Sequence, residues 1–143
     1  MAVRLMRGPG AGSIFEKAFE NSLVGIFTTD RHRVFLEVNP RAAGLLGYHP
    51  DELEGRSVRM VHPTEGDYRE FGERILAGFS EAGVLDLQVP LVRKDGSTFV
   101  AEVSGAPLDG EVPEDGWVWV IRDISDRKRA EAAVRESEHF TRT

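Results

Sequence analysis

The stretch Trp117–Glu138, WVWVIRDISDRKRAEAAVRESE, changes character in its middle. Trp117 to Ile121 is an unbroken β-branched and aromatic run, which predicts a central strand buried on both faces. From Asp126 onward the chain is rich in Arg, Lys, Glu and Ala without Gly or Pro, which predicts a solvated helix. Asp123-Ile124-Ser125 lies between, with Ser125 placed to cap that helix. A central strand running directly into an exposed helix is a mechanical output, suited to a domain whose internal state is read by whatever its C-terminus joins.

The rest of the composition narrows the classes. At 143 residues the chain is expected to form one domain and can bury about 70% of its unfolded surface without a disulfide or metal staple. It has no Cys, so thiolate catalysis, Cys-based zinc sites and iron–sulfur clusters are excluded. A formal charge of −6 argues against a nucleic-acid partner. No apolar run approaches the roughly 18–20 residues that span a bilayer, so no membrane span and a cytoplasmic location are expected. Residues 1–12 read as a flexible tail, without the apolar core of a signal peptide.

Working back from the final strand, Thr98–Ala106 alternates, with Phe99, Ala101 and Val103 on one face. Asp109–Gly116 between them reads as a polar loop. Lys94-Asp95-Gly96-Ser97 is a hairpin turn leading back to Val84–Val92, whose Leu85, Leu87, Val89 and Leu91 share a face. Pro90 cannot donate to a ladder and marks that strand as an edge. A helix over Glu65–Ala77 presents Tyr68, Phe71, Ile75 and Leu76. Asn39-Pro40 opens a short helix that Gly47 ends, and His49–Gly55 repeats the formula as one turn. Leu23–Thr29 and Val34–Val38 form a hairpin through Asp30–Arg33, and Ser13 caps a first helix, Ile14–Glu20, with Ile14, Phe15, Ala18 and Phe19 at helical spacing. The order predicts an α+β domain, an antiparallel sheet with short helices on one face.

Several short motifs occur together: Asn39-Pro40, Leu46-Gly47-Tyr48 followed by Asp51-Glu52-Leu53-Glu54-Gly55, His62-Pro63, Arg93-Lys94-Asp95-Gly96, and Arg122 through Lys128. In this order they resemble a PAS domain of the bacterial sensory-box type, over about Ser13 to Asp126. The resemblance implies a five-stranded sheet of spatial order 2-1-5-4-3, a sensor domain over 13–125 and an exit helix over 126–143. It also implies a larger signalling protein, with a histidine kinase, a cyclic-di-nucleotide enzyme or another sensory domain downstream. The tail around Arg135–Phe140 resembles the lead-in to a further repeat, so the chain is expected to be a piece of that longer protein. Where the family often has Asp-Gly in the first hairpin, Arg31-His32-Arg33 stands here, which implies a wider turn.

The family's members differ in what fills the pocket between sheet and helices, and the pocket candidates here are Phe27, Phe71, Ile75, Leu87, Val103 and Trp119. Without Cys, an adduct-forming flavin and a thiol-linked chromophore are excluded. No His lies between Glu65 and Ala77, so the usual axial ligand of a haem is missing. His62 reads as a turn or capping residue, His32 and His49 as exposed loop residues, and His139 as part of the tail; no metal-ligand spacing results. Trp117 and Trp119 share a face and would stack on a planar ligand, fill core or cover a dimer surface, so a non-covalent flavin or a small metabolite stays open.

No Gly-rich phosphate loop or Gly-x-Ser-x-Gly setting is present, and the acidic residues at Asp51–Glu54 and Asp109–Asp115 read as solvated turns rather than a general acid–base pair. The domain is expected to be regulatory, not catalytic. Asp123, Ile124 and Ser125 are the expected signal-relay residues. Two functions follow: an input domain that binds a small ligand or cofactor and relays its state through the exit helix, or a ligand-free dimerisation and relay module. A homodimer is expected in both.

Overall fold

Alternating apolar residues along five extended segments build one antiparallel sheet whose inner face is covered by short helices. The computed structural model describes residues 11–78, 83–109 and 112–142. In chain order the elements are α1 (Ala11–Glu20), β1 (Gly25–Thr29), β2 (Phe35–Val38), α2 (Pro40–Leu46), α3 (Pro50–Leu53), a 3-10 turn (Val58–Val61), α4 (Glu65–Ala77), β3 (Leu85–Val92), β4 (Thr98–Asp109), β5 (Val112–Asp123) and α5 (Ser125–Arg142). The strands stand in the order β2-β1-β5-β4-β3, as the resemblance implied, with the proline-bearing β3 at an edge. Among the described residues no helix is long and apolar enough to cross a membrane.

Register brings the large side chains together. Phe27 pairs with Trp119, and Trp119 in turn with Gly105. The indole of Trp119 lies across Gly105, where any Cβ would stand 2.2 Å from the ring. Gly105 therefore leaves β4 open to an aromatic side chain from its neighbour.

Asn39 fastens the helical layer to this sheet. It caps α2, its Oδ1 accepting from Ala42 N–H at 2.8 Å and from Ile26 N–H of β1 at 2.9 Å. Its Nδ2 donates to the carbonyls of Phe19 at 2.9 Å and Val24 at 3.1 Å. Pro40 occupies the first turn, and Gly47 ends the helix in the left-handed conformation, φ 82°.

Several sequence expectations change. Helix α1 begins at Ala11 rather than at Ser13, and of its described side chains Phe19 is buried whereas Ile14 and Ala18 are exposed. The helix is held at its last turn, through the Phe19 carbonyl, so its apolar spacing does not translate into a buried face. Strand β1 starts at Gly25, leaving Leu23 exposed. Leu76 is 88% exposed because it follows Ile75 by about 100° around the helix and turns away from the sheet. The segment expected as a polar loop is mostly strand: β4 and β5 pair out to Asp109 and Val112, with residues 110 and 111 outside the described residues. In β5, Trp117, Trp119 and Ile121 are buried, but Val118 and Val120 are only half-buried, since helices cover one face alone. The expected tail lies outside the described residues as far as residue 10, as do residues 79–82 of the connector after α4.

Replacing Asn39 with Ala removes a cap and strands two carbonyls and an amide of the surrounding chain. Urea unfolding is expected to show a loss of about 3 kcal/mol. A loss near the roughly 1 kcal/mol of an isolated cap would mean that the bonds to Ile26, Phe19 and Val24 contribute little.

Candidate functional site: an aromatic cavity with one polar corner

Between the sheet and α4 lies a cavity walled by Phe27, Phe35, Leu46, Phe71, Ile75, Val103, Trp119 and Ile121, with Thr29, Arg33 and His62 at a polar corner. The volume open to the centre of a water-sized sphere is about 30 Å³. One water needs about 10–15 Å³ by that measure, so the space suits about two waters or a molecule of comparable size. A three-ring planar cofactor such as flavin does not fit this cavity. A cleft of about 160 Å³ lies outside it, between α4 and β3, and His62 and Phe71 border both spaces.

The rings of the walls pack against one another. Phe71 meets Trp119 edge-on at 5.4 Å between centroids, Phe27 meets Phe35 at 5.3 Å, and Phe27 stacks on Trp119 at 6.5 Å. Trp119 Nε1–H donates to Thr29 Oγ1 at 3.0 Å, which fixes the indole in its plane.

Of the six pocket candidates, Phe27, Phe71, Ile75, Val103 and Trp119 border the cavity, while Leu87 lines the outer cleft. Leu87 is buried, but the ring of Phe71 and β3's edge position hold it on the far side. Trp117 shares the inner face with Trp119 yet does not reach the cavity. Sequence reasoning missed Arg33 and Thr29 and undervalued His62.

His62 ends the 3-10 turn, is 3% exposed, and packs against the rings of Tyr68 and Phe71. Arg33 Nη2 stands 3.5 Å from His62 Nε2. A guanidinium has only protons to offer, so Nε2 turns its lone pair toward Arg33 and the ring proton sits on Nδ1. That buried Nδ1–H has no acceptor among the described residues, a deficit of about 1–3 kcal/mol for such a group. Burial first, and the Arg33 charge second, lower the imidazole pKa to about 4.

Arg33 occupies the first hairpin in the left-handed conformation, φ 62°, where a non-glycine residue is strained. Its Nη1 donates to the Tyr68 carbonyl at 2.8 Å, and its guanidinium lies 3.7 Å above the Tyr68 ring. The hairpin itself is closed by Asp30, whose Oδ1 accepts from His32 N–H and Val34 N–H. His32 and His49 are exposed, and among the described residues no cluster of His, Asp and Glu could hold a metal ion.

A second polar cluster joins the cavity wall to α5. Leu46, which lines the cavity, sits in the last turn of α2, where the Leu45 carbonyl accepts from Arg93 Nε at 3.2 Å and the Leu46 carbonyl from Lys94 N–H at 3.0 Å. Arg93 Nη2 donates to Asp123 Oδ2 at 2.7 Å and Nη1 to Ser97 Oγ at 3.2 Å, with the guanidinium 4.3 Å over Phe99. Asp123 Oδ1 accepts from Ser125 N–H at 2.9 Å. Ser125 is thus the first residue of α5 rather than its cap. Its hydroxyl accepts instead from Val100 N–H at 3.0 Å, while Ile124 is buried and its N–H reaches the Val100 carbonyl. The acidic turn is likewise more than solvated surface: Glu52 takes Lys94 Nζ at 2.6 Å and Glu54 takes Val38 N–H.

His62 makes the fold sensitive to acid. Its ring titrates at 6.5 when unfolded and at about 4 when folded, so between those values the unfolded chain holds the extra proton. The stability that a neutral His62 supports is complete above 6.5 and lost as pH falls toward 4, by about 3 kcal/mol. Urea melts across that range should show a steeper decline for the native chain than for His62→Gln, with Arg33, Arg59 and Asp67 unchanged; parallel curves would show that the ring protonates freely in place.

The PAS domain family model matches residues 23–126. Sensor protein TdiS of Thauera aromatica is 36% identical over 123 residues, covering 86% of this chain and 22% of TdiS. Sensor histidine kinase TmoS of Ectopseudomonas mendocina is 24% identical over 85% of this chain and 13% of its own length. The chain therefore spans about a fifth or less of these curated relatives. Among solved structures, the PAS domain of a LuxR-family transcriptional regulator from Burkholderia thailandensis, in complex with ethanol, superposes with a TM-score of 0.70 at 27% identity, covering 77% of this chain and 96% of that one. With the strand order, the motif sequence and the family match in agreement, the chain belongs to the PAS domain family.

Proposed function

We propose that this chain is the cytoplasmic input domain of a larger sensor protein, binding a small molecule in the aromatic cavity and relaying its occupancy through α5. The observation that carries this reading is the continuity between the two ends. Leu46 touches the cavity, the adjacent backbone is held by Arg93, Arg93 holds Asp123, and Asp123 holds the first turn of α5. A ligand that displaces α2 by a fraction of an ångström strains this hydrogen-bonded truss, and the exit helix is free to answer by changing its angle. The ethanol held by the Burkholderia PAS domain has the size that a cavity of about 30 Å³ admits.

The similarity to sensor proteins supports a histidine kinase or a comparable signalling domain downstream in the same polypeptide. A homodimer is supported by the apolar side chains that remain exposed near the termini, Ile14 and Leu23 before the sheet and Val134 on α5. The small cavity also favours a second reading, a ligand-free dimerisation and relay module. Native mass spectrometry of the purified domain separates the two: a retained or titratable small molecule supports the first, and a bare dimer that no small molecule alters supports the second.

Asp123→Ala leaves the fold nearly intact, since an ion pair with side chains 28% and 26% exposed still reaches solvent and contributes about 1 kcal/mol or less. In the full-length sensor it is expected to abolish the difference in output between the ligand-free and ligand-bound states. A variant that still switched fully would overturn the relay assignment. Phe71→Ala is expected to lower stability by about 3–5 kcal/mol in urea unfolding and to join the cavity to the outer cleft; a loss below about 1 kcal/mol would show that the ring is not packed as the cavity wall.

A further inference from the structure

We propose that α5 is fastened to the sheet by an exchangeable ion-pair latch. Arg127 and Glu102 hold each other when the helix is docked, and each has a second partner on its own element when the helix lifts away. The consequence for signalling rests on the reading of α5 as the output; the latch itself is a property of this chain and is tested without a ligand.

At its start α5 is held by main-chain bonds and apolar contact. Ile124 is buried and its N–H donates to the Val100 carbonyl, while the Ser125 hydroxyl accepts from Val100 N–H. Asp123 Oδ1 accepts in turn from Ser125 N–H. These bonds tie residues 123–125 to β4 and make them a pivot for the helix that follows. Beyond the pivot Arg127 reaches back to the sheet, its Nη2 donating to Glu102 Oε2 at 3.3 Å. Farther along, Lys128 is half-buried, whereas Arg129, Ala130, Ala133 and Val134 are exposed.

Both charges of this contact have an alternative. Glu102 stands directly across the β4–β5 ladder from Arg122, whose Nη1 lies 3.8 Å from Glu102 Oε1. Arg127 Nε lies 4.0 Å from Glu131 Oε1, one turn on in the same helix. When α5 lifts, Glu102 keeps Arg122 and Arg127 keeps Glu131, so neither charge loses its last partner. The two arrangements therefore lie close in electrostatic energy. A buried pair offers no such exchange, because opening it strands charges in the interior. Here the four side chains are between 30% and 52% exposed, so the docked pair is also weakened by salt.

Pivot and latch lie close together, which makes the helix a lever. Arg127 is two residues beyond Ser125, about 3 Å along the axis, whereas Arg142 lies about 26 Å along it. A small opening at Arg127 becomes a displacement several times larger at the far end of α5.

The chain has no cysteine, so two can be introduced and spin-labelled at exposed positions outside the latch, Gln88 on β3 and Ala133 on α5. Pulsed dipolar EPR of the Gln88→Cys, Ala133→Cys chain, in low and in high sodium chloride, gives the distribution of distances between the labels. Low salt is expected to favour one docked distance, and high salt to raise the share of a second, displaced one. Glu102→Gln and Arg127→Gln should each raise the ratio of displaced to docked helix at low salt by about threefold, the scale one exposed pair supplies. Glu131→Gln and Arg122→Gln remove the competitors and should shift the ratio the other way, toward the docked distance. A merely structural role would loosen the helix in all four variants or in none. A distribution that neither salt nor Glu102→Gln nor Arg127→Gln alters overturns the latch, and loosening by Glu131→Gln or Arg122→Gln overturns the exchange. Neither result touches the ligand-binding reading, which the native mass measurement decides. The salt comparison needs none of the four variants, so it stands even where one of them fails to fold.

Discussion

The side-chain amide of Asn39 holds the rest of the structure in register. It is fully buried, and all four of its hydrogen-bonding positions are used: two backbone N–H groups donate to its oxygen and two carbonyls receive its protons. Its partners belong to the end of α1, the entry to β1, β1 itself and the first turn of α2. One side chain therefore decides where the helical layer begins relative to the central strand. A buried polar group is stabilising only when it is completely satisfied, and the geometry that satisfies Asn39 is available in one arrangement of those segments. The placement of α2 over β1, and hence of Leu46 at the cavity wall, follows from it.

The cavity is a consequence of building a wall from large rings. Trp119 lies flat over Gly105, Phe27 stacks against it, and Phe71 comes down from α4 onto its edge. Rings that brace one another edge-to-face cannot also close the wedge between a twisted sheet and a helix that crosses it. The space that remains ends at the first hairpin, where, among the described residues, Arg33 and His62 are the only charged or titratable side chains on its lining.

Much of this was legible in the sequence, and the failures are instructive. Asn39-Pro40 with Gly47, the bounds of α4, the edge position implied by Pro90 and the turn at Asp95-Gly96 each depend on local chemistry, and local chemistry is what a sequence displays. Phe27, Phe71, Ile75, Val103 and Trp119 could be placed at the cavity because strand and helix periodicity fixes the face a side chain shares. Leu87 could not be separated from them, since facing inward does not say on which side of Phe71 a residue falls. Arg33 gave no signal at all: a charged residue in a hairpin turn reads as solvated, and only the fold brings α4 and His62 over it. Asp109–Gly116 looked like a loop because its polarity outweighed the pairing that extends from the strands on either side.

Arg33 and Arg93 show how the same side chain serves two ends of one domain. Arg93 is saturated: a main-chain carbonyl, a serine hydroxyl, a carboxylate and an aromatic face occupy its donors and its plane. Such a group ties its partners together, because none can move without straining the others. Arg33 is held by one carbonyl and the rings of Tyr68 and Phe71, beside the imidazole of His62. Arg33 borders the cavity, whereas Arg93 is spent between secondary-structure elements. The two arginines are joined through the interior by Phe71, Trp119, Ile121 and Leu46, all of which border the same space.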